Sequence, residues 1–506
     1  MYRDRLRCKS LLGKVMNAEE AASFIQDGMV VGMSGFTRAG DVKAIPRALA
    51  ERAKEEPFKI TLMTGASTGE DCDSPLTEAG VIARRLPFMS DGMLREAINA
   101  GEVMFIDQHL SKTVELLRSR QLPKVDVALL EVLAIEEDGG LVPTTSVGNS
   151  ASYALFADKI LLEINLAQPD ALQGVHDIYI PARRPYREPI PIVHPEDRVG
   201  VSAIPIDPSK IVGIVITNKP DSEARILPPD GATEAIAAQL IDFLKHEVKK
   251  GRLSKQLPPL QAGIGATANA VLEGFLGSDF ENLKMYSEVL QDSVFMLLDA
   301  GQMSFASCTS ITLSAKAHRE IMANIGRYRD KLILRPQEIS NHPEVVRRLG
   351  IVAINAAIEA DIYGNINSTH IMGTHMMNGI GGSGDFARNS HLSIFVTPSI
   401  VKEGKISCIV PMVAHVDHPE HDVDILITEQ GLADLRGLAP RERAPLIVEH
   451  CSHPSYREIL KDYCKDALKR GGHTPHILEE ALSFHVRYQR TGQMLPTLPE
   501  SMTQAV

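Results

Sequence analysis

Several features that would assign this protein to a special class are missing from its sequence. No apolar run reaches the roughly eighteen residues that a transmembrane helix needs, so no membrane-spanning segment is expected. Positive charge is not in excess: the formal net charge of −11 argues against a nucleic-acid surface. The N-terminus has no apolar stretch of the kind that secretory signals contain. We therefore expect a cytoplasmic protein whose partners are neither nucleic acids nor membranes.

Cysteine is also scarce. The 506 residues include six cysteines, and no two of them have the CxxC spacing. In a chain of this length they are typical of scattered reduced thiols in a cytosol-type compartment. They are Cys8, Cys72, Cys308, Cys408, Cys451 and Cys464.

What the chain does contain is ample core material, with 44% hydrophobic residues. Asn17 and Glu20 form a capping-box pattern, which predicts a helix that ends at Gly28. Continuous apolar runs at residues 29–34 and 60–65 then predict buried strands, each followed by glycine. Alternation of helices with such strands predicts an α/β fold in which mostly parallel sheets are flanked by helices.

A polar, proline-rich segment at residues 218–230 predicts a domain boundary. A long amphipathic helix is predicted after it, at residues 233–249, and the α/β alternation then resumes. We therefore expect two domains of similar architecture, residues 1–228 and 229–506. Strands of the second domain are predicted at residues 349–355, 392–396, 406–410 and 423–428.

Glu288 is the first candidate for chemistry. It interrupts a run that predicts a strand followed by a turn, and Tyr286, Val289 and Leu290 around it are apolar. A glutamate near a strand end is most often solvated or paired, which is the alternative interpretation. A carboxylate is ionised at neutral pH and needs no general base, so an interior Glu288 suits nucleophilic acyl transfer through a glutamyl intermediate.

A second candidate is the loop of residues 378–386, which has four glycines within six residues. A flexible surface loop is the alternative, but the flanking Ile380 and Phe386 favour a buried one. Glycine lets backbone N–H groups approach a ligand closely. The loop therefore predicts a binding site.

Gly263, Ile264, Gly265, Ala266 and Thr267 form a glycine turn that opens a helix. Backbone donors and the helix dipole suit an anionic or carbonyl-bearing ligand there. A simple tight turn and a dinucleotide site remain alternatives. The dinucleotide interpretation is the weaker, because no acidic residue is clearly placed to bind a ribose.

Three further positions are weaker candidates. Asn341 is placed to cap the helix that begins near Pro343. Glu429 follows a predicted strand, where α/β proteins place site residues, although an acid at a helix N-terminus is an ordinary alternative. Residues 415–421 contain three histidines, but Pro419 interrupts any helix, so we predict loop hydrogen bonding and no metal site.

Taken together, these motifs resemble the acetyl-CoA hydrolase/transferase family, one of the class I CoA-transferase families. The resemblance covers residues 14–494 and implies two CoA-transferase-type α/β domains with the active site between them. The matching segments are residues 34–37, 62–67, 146–149, 263–265, 286–289, 378–386, 415–418 and 428–437.

The resemblance also implies roles for single residues. Glu288 matches the glutamate that carries CoA as a thioester, and the N–H groups of Ile264 and Gly382 match the oxyanion hole. Asn341 and Glu429 match residues that contact or orient that glutamate. A homodimer is implied, with no metal and no cofactor, because coenzyme A is a substrate. The positions that match CoA contacts are Gly263, Ile264, Gly265, Ala266, Thr267, Gly382 and Lys402.

Three functions remain open at this point. The first is a ping-pong transfer of CoA between a short-chain acyl-CoA, such as succinyl-CoA, and a carboxylate such as acetate. The second is hydrolysis of acetyl-CoA or another short-chain acyl-CoA, for which the same residues would serve. The third is a non-catalytic nucleotide-binding protein, and the presence of Glu288 with both glycine loops argues against it.

Overall fold

The first half of the chain forms a parallel sheet of seven strands. The computed structural model describes residues 2–185, 187–224 and 228–496. Strands and helices are numbered along the chain. The strands of this sheet are β1 (Val30–Met33), β2 (Ile60–Met63), β3 (Ile82–Leu86), β4 (Met104–Phe105), β5 (Val127–Val132), β8 (Lys159–Asn165) and β9 (Ile211–Thr217).

The second half repeats this plan with eight strands. Seven are parallel, and an antiparallel edge strand pairs with the last of them. They are β10 (Leu260–Ala262), β11 (Leu283–Tyr286), β13 (Met303–Cys308), β15 (Leu332–Leu334), β16 (Val352–Ala356), β21 (Leu392–Val396), β25 (Ile425–Thr428) and β26 (Gly431–Asp434).

Both sheets follow the same path. The first has the order β4-β3-β2-β1-β5-β8-β9 and the second β15-β13-β11-β10-β16-β21-β25-β26. In each, the chain starts at a central strand, moves outward to one edge and returns to the other side of that strand. The strand order therefore reverses between β1 and β5 and between β10 and β16. In open parallel sheets, ligands bind in the crevice beyond the carboxyl ends of the strands at such a reversal.

In the described residues, the remaining short strands form five small sheets of two or three strands each, separate from the two main sheets. They are β6 (Ala134–Ile135), β7 (Leu141–Val142), β12 (Val289–Leu290), β14 (Ser310–Ile311), β17 (Glu359–Asp361), β18 (Ile366–Asn367), β19 (His370–Ile371), β20 (His375–Met376), β22 (Ile400–Val401), β23 (Ile406–Ser407) and β24 (Ile409–Val410).

Helices lie between most of the consecutive strands of the two main sheets, and, in the part of the chain that the structure describes, three more follow the last strand. They are α1 (Ala18–Ala22), α2 (Ile45–Glu55), α3 (Asp73–Glu78), α4 (Gly92–Asn99), α5 (Thr113–Arg118), α6 (Ser150–Phe156), α7 (Gly231–Lys249), α8 (Ala266–Glu273), α9 (Asp292–Asp299), α10 (Ala315–Ala323), α11 (Gln337–Ser340), α12 (Pro343–Leu349), α13 (Ser383–Ala387), α14 (Pro440–Cys451), α15 (Pro454–Arg470) and α16 (Ser483–Thr491). Within the described ranges, none of them has the length and apolar character needed to cross a membrane.

The largest buried cluster contains side chains from both sheets, including Leu162 of β8 and Ile354 of β16. A second cluster packs α2 and α4 against the first sheet, with Leu49 and Leu94 fully buried. A third holds α14 to α16 on the second half. Because the largest cluster joins the halves, their interface belongs to the hydrophobic core of the protein.

The predicted α/β fold is confirmed, with mostly parallel sheets flanked by helices in both halves. Two local predictions are wrong. The first helix ends at Ala22 instead of Gly28, because Ser23 and Gln26 side chains hydrogen-bond to backbone carbonyls and turn the chain. Residues 406–410 form two short strands outside the main sheet.

The predicted boundary lies between β9 and α7, where the first sheet ends and the second half begins. Asp230 caps α7 with a hydrogen bond from the N–H of Thr233. Residues 225–227 of the boundary segment lie outside the described residues. The division at 228/229 stays a prediction.

Candidate active site

A cavity of about 330 Å³ opens where the strand order of the second sheet reverses. Gly263 and Ile264, after β10, and Asn355 and Ala356, at the end of β16, line this cavity. Glu288, which follows β11, lines it too. Side chains from the first half complete the lining. The cavity is therefore shared by the two halves of the chain.

Glu288 is buried, with 8% of its surface exposed. Asn341 Nδ2 donates to its Oε1 at 3.5 Å, and Gln261 Nε2 donates to its Oε2 at 3.3 Å. Its backbone carbonyl accepts from the N–H groups of Thr309 and Ser310, which fixes the turn between β11 and β12. Two neutral amides thus donate to the carboxylate at the cavity, and none of these contacts is with a cationic side chain.

Burial raises the pKa of Glu288, because desolvation disfavours the charged form. Hydrogen bonds from Gln261 and Asn341 lower the pKa and offset part of this effect. A poorly solvated carboxylate without an ion partner is a stronger nucleophile than a solvated one, since less water must be displaced from it. The surroundings of Glu288 suit attack on an electrophilic carbonyl.

The loop of residues 378–386 lies against this carboxylate. A Cβ atom on Gly382 would overlap Glu288 Oε1 and Asn341 Nδ2, and would lie 2.7 Å from Glu288 Cδ. The φ of Gly382 is −89°, which any residue adopts, so the requirement for glycine here is close approach alone. Gly382 is also the N-cap residue of α13.

Residues of the first half hold this loop in place. Asp107 accepts a hydrogen bond from the N–H of Ile380, and Ser111 donates its N–H and Oγ–H to Asp385 at 2.9 and 2.6 Å. The pKa of Asp385 is raised to about 7, because burial and the charge of Glu288 raise it by more than the hydrogen bonds from Ser111 lower it. The position of Gly382 therefore depends on contacts across the two halves.

The cavity has an apolar wall. Phe36, Ala66, Phe88 and Leu110 of the first half line it, and Phe36, Ala66 and Leu110 belong to one small buried cluster. Thr37 also lines the cavity, and its hydroxyl donates to the carbonyl of Phe36. The space beside Glu288 suits a short aliphatic chain.

The glycine turn between β10 and α8 forms another side of the cavity. Gly263 and Ile264 line it, and Gln291 braces the turn by accepting from the N–H of Gly265 and donating to the carbonyl of Gly263. Gly265 has a φ of +116°, a conformation that favours glycine. Two glycine loops thus flank one carboxylate, as the sequence motifs predict.

Comparisons with known proteins identify the family of this chain. Residues 3–216 match the model of the acetyl-CoA hydrolase/transferase N-terminal domain, and residues 318–464 match that of the C-terminal domain. The chain belongs to the acetyl-CoA hydrolase/transferase family. It is therefore an enzyme, and the resemblance seen in the sequence is confirmed.

Relatives within the family span nearly the whole chain. A succinyl-CoA:acetate CoA-transferase of Clostridium kluyveri is 49% identical over 97% of this chain and 92% of its own length. A propanoyl-CoA:succinate CoA transferase of Escherichia coli is 44% identical, with 95% and 98% covered. An acetyl-CoA hydrolase of Schizosaccharomyces pombe is 43% identical, with 96% and 98% covered.

The fold is also that of solved structures. The crystal structure of RipA from Yersinia pestis superposes with a TM-score of 0.72 at 22% identity, covering 90% of this chain and 97% of that one. At this identity the similarity concerns the fold. It agrees with the two sheets described above.

Asn341 is not the N-cap of α12, contrary to the sequence-based expectation. His342 is the N-cap residue of α12, and its ring nitrogen accepts from the N–H of Glu344. Asn341 ends α11 instead and directs its amide at Glu288. The capping role moved by one residue because Pro343 is the first residue of α12.

Glu429 and Lys402 lie on a neighbouring part of the second half. Glu429 accepts hydrogen bonds from the N–H and hydroxyl of Ser399 and from Gln430. Burial raises the pKa of Glu429, but these hydrogen bonds outweigh it and the pKa is lowered. Lys402 is exposed at the tip of the β22–β23 hairpin, just beyond Ser399. The structure brings neither residue to the lining of the cavity, and their roles stay predictions.

The histidine-rich segment makes loop hydrogen bonds. His418 Nε2 lies 3.0 Å from Ser383 Oγ, beside the glycine loop, and Asp417 accepts from Ser368 and Thr369. Burial lowers the pKa of His418 to about 4, so this ring is neutral. In the described residues, no group of three or more histidine, cysteine or acidic side chains is arranged to hold a metal ion.

Several residues of the site were not identified from the sequence. Gln261 donates to Glu288, and Asn355 pairs with Gln261 and lines the cavity. The apolar wall and the residues that hold the glycine loop were also missed. The one available signal was that Gln261 lies two residues before Gly263, on a strand whose other residues, Leu260 and Ala262, are buried and apolar.

Proposed function

We propose that this enzyme transfers CoA between a short-chain acyl-CoA, succinyl-CoA or a similar one, and a carboxylate such as acetate. The observation that carries the proposal is the position of Glu288, a buried carboxylate between two amides and the backbone of Gly382, at the end of a cavity with an apolar wall. This arrangement supplies a nucleophile, hydrogen-bond donors and space for a small acyl group.

The proposed reaction has two symmetric halves. One oxygen of Glu288 attacks the thioester carbonyl, and the C–S bond breaks to give an acyl-glutamyl anhydride and the CoA thiolate. The thiolate attacks the glutamyl carbonyl, the bond to the bridging oxygen breaks, and the carboxylate product leaves. The resulting glutamyl-CoA thioester reacts with the second carboxylate by the reverse route, without loss of the thioester free energy.

The remaining roles belong to the same proposal. The N–H groups of Ile264 and Gly382 stabilise the oxyanion of the first step, and Asn341 and Glu429 orient the glutamate. Gly263, Gly265, Ala266, Thr267 and Lys402 contact CoA. A cytoplasmic homodimer without metal or cofactor completes the proposal.

Hydrolysis is the second candidate, and the relatives are the reason to keep it. The Clostridium and Escherichia relatives carry transferase names, whereas the Schizosaccharomyces relative of nearly equal similarity is named an acetyl-CoA hydrolase. Both reactions begin with the same anhydride. They differ in whether a carboxylate or water consumes the intermediate, which depends on how well the closed site excludes water.

The test is a product assay with succinyl-CoA, with and without acetate, in which acetyl-CoA and free CoA are measured separately. Transfer predicts acetyl-CoA only when acetate is present, with little free CoA. Free CoA released at an equal rate without acetate would establish the hydrolase. Glu288→Ala is expected to abolish transfer while leaving CoA binding largely intact, and full activity of that variant would refute the glutamyl mechanism.

A further inference from the structure

The two carboxylate oxygens of Glu288 lie in different surroundings. Oε1 lies next to Gly382, which lines the cavity, and accepts from Asn341. Oε2 lies next to Gln261 of β10 and the hydroxyl of Ser287, and neither of these residues belongs to the cavity lining. Oε1 is therefore the oxygen placed to attack a bound substrate. Oε2 is the oxygen that remains as the carbonyl of the glutamyl intermediate.

Gln261 is the donor available to Oε2. Ser287 has a single hydroxyl hydrogen, and its Oγ lies closer to the carbonyl of Ala262, at 3.1 Å, than to Oε2, at 3.4 Å. Gln261 Nε2 has two hydrogens, one for Asn355 Oδ1 at 3.2 Å and one for Glu288 Oε2 at 3.3 Å. The amide can serve both acceptors at once.

Asn355 fixes the orientation of that amide. Its Nδ2 donates back to Gln261 Oε1 at 3.3 Å, so the two side chains form a reciprocal amide pair between β10 and β16. Gln261 is fully buried and Asn355 is 4% exposed. Rotating the Gln261 amide by half a turn would place its oxygen against the carboxylate. The pair resists rotation of the Gln261 amide alone, and the carboxylate, which only accepts, selects the arrangement with the NH2 group directed at it.

We infer that Gln261 is a catalytic hydrogen-bond donor to the carbonyl oxygen of the glutamyl intermediate, and that Asn355 is a positioning residue that acts through it. The inference rests on the proposed function. When the CoA thiolate attacks Glu288 Cδ, the S–C bond forms and an electron pair moves onto Oε2. The pair returns as the bond to the departing carboxylate breaks, so no proton or co-reactant is required.

A neutral donor suits this step better than a cation. In the anhydride and in the thioester Oε2 carries no net charge, whereas in the tetrahedral intermediate it carries a full negative charge. A hydrogen bond from Gln261 therefore strengthens as the transition state forms, which is the condition for catalysis. A lysine or arginine at this position would instead stabilise the resting carboxylate and weaken it as a nucleophile.

The test measures formation of glutamyl-CoA in a single turnover, with enzyme in excess over acyl-CoA, no acceptor, and quenching followed by intact-protein mass analysis. Gln261→Met removes the donor with little change in volume. We expect the rate of adduct formation to fall by about 10²–10³-fold, the magnitude typical of an oxyanion-hole donor. KM for acyl-CoA should stay within about threefold.

Further variants distinguish loss of the hydrogen-bond donor from a general effect on the fold. Gln261→Met leaves the amide of Asn355 unpaired, so Gln261→Met/Asn355→Leu removes both partners and restores an apolar contact. This double variant is expected to show the same loss as Gln261→Met, and Asn355→Ala alone a smaller one. Gln302→Met is the matched control, because the Gln302 amide bonds to backbone groups outside the cavity: its Nε2 lies near the carbonyls of Phe275, Ser278 and Phe280, and its Oε1 accepts from the N–H of Gly277.

A folded Gln261→Met/Asn355→Leu variant that forms the adduct at the wild-type rate would overturn the inference. So would an equal loss in Gln302→Met, because the effect would then belong to the fold. Failure of the proposed function has a different signature. In that case wild-type enzyme forms no adduct, or Glu288→Ala remains active, whatever the Gln261 variants do.

Discussion

Replacing Gly382 with alanine tests the geometry of the site most directly. The added Cβ would lie 2.7 Å from Glu288 Cδ, whereas ordinary van der Waals contact begins at 3.4 Å. The loop or the carboxylate must therefore move by at least about 0.7 Å, and by more to clear Glu288 Oε1. Both are held by hydrogen bonds, Glu288 by Gln261 and the loop by Ser111.

A displacement approaching 1 Å at reacting atoms reduces catalysis by about 10²-fold. We therefore expect Gly382→Ala to lower kcat about 100-fold, equivalent to about 2.7 kcal/mol of transition-state stabilisation. Over-packing of a buried contact should also reduce the free energy of unfolding by about 1–3 kcal/mol. The variant remains folded on this estimate, so the loss in kcat can be measured.

The assay is CoA transfer from succinyl-CoA to acetate, combined with urea unfolding to follow stability. Gly231→Ala is the matched control, because a Cβ there meets nothing within 4 Å and Gly231 begins α7. It should retain wild-type kcat. A Gly382→Ala variant with kcat within threefold of wild type would refute the claim that the loop touches the reacting carboxylate.

Two other predictions follow from burial at the site. Glu288→Gln should raise the melting temperature at pH 7. The raised pKa of Glu288 means that a charged carboxylate is less stable in the folded protein than in the unfolded chain, and the substitution removes this cost. The gain should shrink as the pH falls towards about 4.3, where the glutamate of the unfolded chain also becomes protonated; a melting difference independent of pH would contradict this. Leu110→Ala should enlarge the cavity at its apolar wall. We therefore expect the ratio of kcat/KM for butyrate to that for acetate to rise about 10-fold, in line with about 1–3 kcal/mol per methylene. An unchanged ratio in a panel of acceptor acids would show that the acyl group lies elsewhere.

Features set by neighbouring residues could be predicted from the sequence. The capping box of Asn17 and Glu20 forms as expected, because both partners lie within one turn. The apolar neighbours of Glu288 indicated burial, and it is buried. The helix that begins at Ala18 was nevertheless predicted too long, since the side-chain contacts of Ser23 and Gln26 that end it are not part of the periodic pattern.

The surroundings of Glu288 could not be predicted in the same way. Gln261 and Asn355 meet only because β10 and β16 are neighbours where the strand order reverses, although they are separated by three other strands of the sheet along the chain. No local pattern distinguishes a buried glutamine that faces a carboxylate from one that faces a carbonyl. Asn341 illustrates the same limit, because its position before Pro343 suggested a cap and its contact with Glu288 depends on the tertiary fold.

The hydrogen bonds from Ser111 to Asp385 join positions that are 274 residues apart in the chain. Closing so long a loop has an entropic cost, which makes such contacts slow to form. Gly382 is placed against Glu288 only once these contacts exist. On refolding from denaturant, the rate at which activity returns should therefore report the docking of the two halves. Activity should return later than secondary structure.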